Sequence, residues 1–200
     1  YPSPDAPLRP MVLYTMVVLA YCAGLRRGEL AGLDLGDVDL QSGTITIRET
    51  KFYKTRILPL NASVVAELRN YIDERRCAGA PQNPQSGLFW HEHFNDRYTP
   101  VSVSTMITKV MRRAGFKPPS GRTGPRVHDL RHSMVVNRIL QWYRSGVNPQ
   151  DKLGFLSTYM GHRDIHSTLV YITVTQDLLQ EASERFRAVG ARCLTMEVRP

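Results

Sequence analysis

Thr44-Ile45-Thr46-Ile47-Arg48 and, after a short connection, Thr55-Arg56-Ile57-Leu58-Pro59-Leu60 are the stretches in which the chain changes its period. Apolar residues alternate one by one here, as they do in half-buried strands, and the two runs make an antiparallel pair. Lys51, Phe52, Tyr53 and Lys54 occupy the connection. An edge strand near Asp37–Leu40 joins them, turning at Ser42-Gly43. On both sides the spacing is helical. Pro7–Ala23 carries Leu8, Met11, Val12, Thr15, Val18, Leu19 and Cys22 on helical repeats, and Gly24 stops it. A short helix over Arg27–Leu33 follows. Downstream, Asn61 caps a helix running to Cys77, with Val64, Val65, Leu68 and Ile72 on one face. Gly79–Gly87 reads as a surface loop, Val101–Ala114 as a helix, and Lys117–Pro125 as a basic loop rich in Pro and Gly. Helices over His128–Tyr143, Pro149–Met160, Ile165–Val174 and Gln176–Ala188 complete the chain. The expected fold is mainly α (α+β): a helical domain with a small three-stranded antiparallel sheet.

Composition narrows the class. The 200 residues suffice for one well-buried domain, and 42% hydrophobic with 22% charged residues is ordinary for a globular protein. Lys and Arg number 26 against 18 Asp and Glu, a formal charge of +8 and a pI near 9.7. Such a balance tilts toward a nucleic-acid partner, although a merely basic protein would share it. Cys22, Cys77 and Cys193 lie far apart without a CxxC pair, so they read as reduced thiols and point to the cytoplasm. The longest apolar run, Met11–Gly24, is too short to cross a bilayer. No membrane partner is expected.

Three clusters carry chemistry. In Gly24-Leu25-Arg26-Arg27-Gly28-Glu29-Leu30, an arginine between two helices can aim its planar fork at an anion, with Glu29 close enough to orient it. Taken alone, the pair also reads as a surface ion pair of little consequence. In His128-Asp129-Leu130-Arg131-His132, an imidazole and a guanidinium three residues apart share a helix face and could bind the oxygens of a phosphodiester under attack. A capping histidine beside a surface arginine fits equally. The third cluster is Gly161-His162 with Tyr171. Nine residues on an unbroken helix are two and a half turns, which sets these side chains on opposite sides. Gly161 as terminator and Asp164 as the next N-cap supply the break that convergence requires. A tyrosine near pKa 10 is a poor nucleophile unless cations assist it, and by itself Tyr171 reads as a core residue.

Taken together, GLRxxEL, a lysine in a β-hairpin, HxLRH, GH and a tyrosine nine residues later stand in an order that resembles the tyrosine recombinase/phage integrase family. These motifs stretch from Gly24 to Tyr171. The segment from His128 onward, with Phe155-Leu156-Ser157-Thr158-Tyr159-Met160-Gly161-His162, is similar in particular to integrases of transposon-like mobile elements. The resemblance implies site-specific DNA recombination, integration or excision, by strand cleavage and rejoining through a 3′-phosphotyrosyl intermediate. It implies that Arg26 and Arg131 each hold a nonbridging oxygen of the scissile phosphate. Lys51, with Lys54 as competitor, would protonate the leaving 5′ oxygen. His128 and His162 would bind the phosphate and assist proton movement, and Tyr171 would attack phosphorus. The implied partners are double-stranded DNA and further copies of the chain, a tetramer on DNA. No cofactor and no metal are implied.

By the same resemblance, residues 1–190 would be the catalytic domain and 191–200 a C-terminal tail, with an N-terminal core-binding domain absent from this chain. Tyr171 precedes Ile172-Thr173 where many relatives carry Thr-His, and Ser167-Thr168 stands where relatives often carry two threonines. Other readings fare worse. His128/His132 and His162/His166 have i,i+4 spacing but neither contains HExxH and no cysteine or acidic ligand cluster accompanies them, so zinc is not expected. His91-Glu92-His93 reads as decoration of a turn or strand end, and no GxSxG elbow is present. Two alternatives remain: type IB topoisomerase-like DNA relaxation, and a DNA-binding accessory protein that has lost catalysis.

Overall fold

The structure is a computed structural model that describes residues 6–48, 55–162, 166–169, 180, 183 and 184. It divides into two compact units, residues 1–134 and 135–200. The architecture is helical with one small three-stranded antiparallel sheet, as the periodicity predicts.

In the first unit, α1 (Arg9–Cys22) buries Val12, Thr15, Met16, Leu19 and Ala20. Gly24, at φ 67°, turns the chain out of α1 into α2 (Arg27–Gly32), a left-handed conformation that glycine adopts without a Cβ penalty. After a 3-10 turn over Leu35–Asp37 come β1 (Val38–Asp39), β2 (Thr44–Ile47) and β3 (Arg56–Pro59). The sheet order is β1-β2-β3, with Val38 opposite Ile45, Ile45 opposite Leu58 and Ile47 opposite Arg56. Ile45, Ile47 and Leu58 are buried while Ile57 is exposed, so the period of two sorts the core face from the solvent face. By that parity Arg56 belongs to the buried face.

The Asn61 side chain caps α3 (Ala62–Cys77), accepting from the Val64 N–H at 2.9 Å. Its buried face differs from the expected one. Val64 and Leu68 are buried, but Tyr71 and Arg75 complete the stripe, whereas Val65 and Ile72 are only half-buried. Arg75 explains the rotation. Its fully buried guanidinium donates to the carbonyls of Leu88 (3.0 Å), Pro81 (2.6 Å) and Gly87 (3.0 Å) and to Ser86 Oγ (3.0 Å). A buried charge is tolerable when its donors are satisfied. These bonds fasten the 79–87 loop to α3.

Beyond that loop, Trp90–His91 (β4) and Asp96–Arg97 (β5) form a hairpin too short to register as a periodic pattern. The Thr99 hydroxyl caps α4 (Pro100–Arg113), which buries Val103, Ile107 and Met111. Within this unit α1 packs on α3, and α2 packs on α4.

The 18-residue helix α5 (Val127–Arg144) begins in the first unit and runs into the second. The expected Pro149–Met160 helix is split into a 3-10 turn over Pro149–Lys152 and α6 (Leu153–Met160). Asn148 caps the turn, accepting from the Gln150 N–H at 3.2 Å. Gly161, at φ 62°, ends α6 as its composition predicts. α7 (His166–Leu169) is the described part of the expected Ile165–Val174 helix and packs on α6. Among the described residues, no helix is long and apolar enough to cross a membrane.

Candidate active site

One carboxylate, that of Glu29, gathers three of the first unit's arginines. Glu29, on the first turn of α2, reaches back to the Arg26 N–H at 2.9 Å and to Arg26 Nη1 at 2.7 Å. Its Oε2, which accepts from the Arg26 N–H, also accepts from Arg56 Nη2 of β3 at 3.0 Å, and Arg131 Nη1 from α5 lies 4.0 Å from the same oxygen. Three arginines from three elements therefore surround one acid. Burial alone would raise the Glu29 carboxyl. The hydrogen bond and charge of Arg56, then those of Arg26, outweigh it and hold the group below its ordinary value.

The three guanidiniums differ in access. Arg26 keeps 30% of its side chain exposed, Arg56 keeps 10%, and Arg131 only 1%. Arg131 donates from Nη1 to the Gly24 carbonyl at 2.5 Å, which ties α5 to the α1–α2 turn. The positive φ of Gly24 thus shapes the turn that receives Arg131.

Arg26 and His128 line an open cavity of about 450 Å³ together with Arg27, Lys117 and Arg126. Ser104, Thr108 and apolar groups complete its wall, and among the described residues no acidic one lines it. Arg131 is not part of this lining. His128 stands at the surface, yet partial desolvation and then the charge of Arg131 push its imidazole below 6.5, with Arg126 and Arg26 adding to the effect. The neutral form of the ring is thereby favoured, in which one nitrogen accepts a hydrogen bond and the other donates one.

The approach to α5 repeats that of α2. Arg126 precedes the helix, and Asp129, three residues on, accepts from the Arg126 N–H at 2.8 Å, just as Glu29 does from Arg26. Each carboxylate satisfies a helix-terminal N–H and leaves an arginine at the cavity edge.

In the second unit, His162 follows Gly161 directly, and its Nδ1 lies 2.9 Å from the hydroxyl of buried Thr168. That bond fixes the ring's orientation and constrains its tautomer. Lys51 and Tyr171 lie outside the described residues, as do Lys54 and Asp164. Of the residues singled out in the sequence, Arg26, His128 and Arg131 come together within the first unit. Arg56 and Lys117 were not singled out. Arg56 could have been found from strand parity, since it shares the face of Leu58. Lys117 carried no comparable signal. Among the described residues, no three His, Cys, Asp or Glu side chains gather where they could hold a metal.

Comparison with known proteins places this arrangement. The model of the phage integrase family matches residues 5–177. The chain belongs to that family. It is 36% identical over 178 residues to a putative integrase/recombinase, y4rB, of Sinorhizobium fredii, a match covering 89% of this chain and 56% of that protein. The chain thus spans little more than half the length of this curated relative. Its fold is similar to the crystal structure of XerA recombinase, with a TM-score of 0.72 at 24% identity over 90% of this chain and 59% of the other. It is also similar to the Tn1549 transposon integrase solved in complex with circular intermediate DNA, with a TM-score of 0.60 at 22% identity over 86% and 59%.

Proposed function

We propose that the chain carries the cleavage centre of a site-specific DNA recombinase, which cuts and rejoins strands through a 3′-phosphotyrosyl intermediate during integration or excision of a mobile element. One observation carries this reading: a cavity walled by Arg26, Arg126, Lys117 and His128, with Glu29 holding Arg26 and, among the described residues, no acidic lining. Such a site suits a phosphodiester gaining negative charge on its nonbridging oxygens.

In this mechanism Arg26 and the buried Arg131 supply the cationic charge for those oxygens. His128 and His162 hydrogen-bond the phosphate and relay protons. The Tyr171 oxygen forms a bond to phosphorus as the bond to the 5′ oxygen breaks, and Lys51 gives that oxygen its proton. The products are a 3′-phosphotyrosyl enzyme and a 5′-hydroxyl. Attack by a 5′-hydroxyl of another strand reverses the step, so the ester's energy is conserved and no external energy source is required. Residues 1–190 would form the catalytic domain and 191–200 its tail, acting on double-stranded DNA as a homotetramer. The span of the family match, residues 5–177, supports that domain assignment.

The test is covalent capture on a pool of nicked duplexes with randomised cores, in which the cleaved end diffuses away. A protein–DNA adduct is expected with the wild-type chain and none with Tyr171→Phe. Sequencing the captured DNA would give the target. DNA binding without any adduct would instead indicate an accessory protein.

A further inference from the structure

We propose that Lys117 is a positioning residue for strand cleavage: its buried ammonium gathers the carbonyls of Arg122 to Pro125 and so fixes the cavity wall that carries Arg126 and His128. This rests on the reading of that cavity as a cleavage centre. Lys117 is 7% exposed, and among the described residues it forms no ion pair with an acid. Its Nζ lies 2.6 Å from the Thr123 carbonyl, 3.2 Å from that of Gly124, 3.3 Å from that of Pro125 and 3.4 Å from that of Arg122.

Four consecutive carbonyls converge on one cation only if the chain curls around it. Desolvating an ammonium is costly, and peptide dipoles offset this only while they stay aimed at it. The charge therefore selects one loop conformation from the many available to a Gly- and Pro-rich segment. Gly124 fits the curl closely. At φ +83° it lies where a Cβ would come within 3.2 Å of Lys117 Cγ and 3.3 Å of Pro118 Cδ. The other limb is tied to α4, where Arg112 Nη2 donates to the Gly121 carbonyl at 3.0 Å. The curl ends at Pro125, and the next residues are Arg126 and, on the first turn of α5, His128. Both line the cavity that Lys117 also lines.

The experiment compares wild type, Lys117→Met and Lys117→Arg in single-turnover cleavage of the same nicked-duplex pool, recording rate constant and burst amplitude separately. In parallel, trypsin cutting at Arg122–Thr123 is timed without DNA. Methionine at 117 is expected to lower the rate constant on the order of tenfold, within the range that a sub-ångström misplacement costs, with amplitude retained. Trypsin should cut its loop about tenfold faster, by the same factor as the lost closure equilibrium. Arginine at 117 should restore both. If methionine there unfolds the chain, Lys117→Gln, which keeps two N–H donors without the charge, carries the same test. Reduced amplitude at an unchanged rate constant would mean a merely structural lysine and overturn the proposal, as would a loop that stays closed. A wild-type chain that forms no adduct would overturn the proposed function instead, and the trypsin result would then decide alone whether Lys117 holds the wall.

Discussion

Arg56 and Glu29, 27 positions apart in sequence, form a 3.0 Å ion pair in which both side chains are at least nine-tenths buried. Through it the sheet grips the carboxylate that also orients Arg26. Any shift of β3 is therefore felt at the arginine on the cavity wall, and β3 closes the hairpin whose connection contains Lys51.

Breaking this pair from one side should be costly, because the partner charge stays behind in a poorly solvated place. Arg56→Met is expected to lower unfolding free energy by about 3 kcal/mol, near the lower end for removing one member of a buried pair. Urea unfolding would measure it. The double variant Arg56→Met/Glu29→Gln should be less destabilised than the two single losses summed. A strictly additive double variant would show that the two groups do not interact.

Acid should undo the same cluster. A carboxyl whose folded value is depressed contributes stability that is complete above its unfolded value, ordinarily 4.5, and is lost as the pH falls through the folded value. Thermal melts between pH 3 and 7 should therefore show wild type losing more stability below about pH 4.5 than Glu29→Gln, which has no proton to gain. Parallel curves for the two would remove Glu29 from the acid transition.

The histidine gives a spectroscopic check. Its imidazole is held below 6.5 by desolvation and then by Arg131, so an NMR titration should place the His128 midpoint under that value. Replacing Arg131 with Gln should move the midpoint upward. A midpoint at or above 6.5 in the wild-type chain would contradict the proximity of these charges.

For the chemistry, Arg26→Ala is expected to slow adduct formation by roughly 10²–10³, the range for losing a preorganised donor to a developing oxyanion. DNA affinity should fall far less, since many phosphate contacts remain. Gel-shift and adduct kinetics on the same duplex separate the two. Cleavage at the wild-type rate would take Arg26 out of the site.

In the second unit, Thr168→Val replaces a buried hydroxyl with a methyl of similar size and leaves His162 Nδ1 without that partner. A lost bond of about 1 kcal/mol corresponds to a rate decrease of roughly fivefold. Thr168→Ser should retain most of the rate. If valine and serine behave alike, the bond does not orient the ring.

Much of this molecule could be read from its residues alone, wherever a local rule acts on neighbours in the chain. The alternation at Thr44–Ile47, the Asn61 cap and the Gly161 stop each follow from the conformational preferences of a few adjacent residues. The order of the motifs around Arg26, His128 and Arg131 was legible for the same reason, as was the pairing of Arg26 with Glu29 three residues on. Folding decided the rest: that Arg56, inward by strand parity, meets Glu29 there, that Arg75 displaces Ile72 from the buried stripe, and that Lys117 sits inside its own loop. Buried Arg75 and Lys117 are satisfied largely by backbone carbonyls, which every residue possesses, and so such cations leave no mark in the sequence. Which carbonyls a cation meets is set by the path of the chain in space, and only the tertiary structure fixes that path.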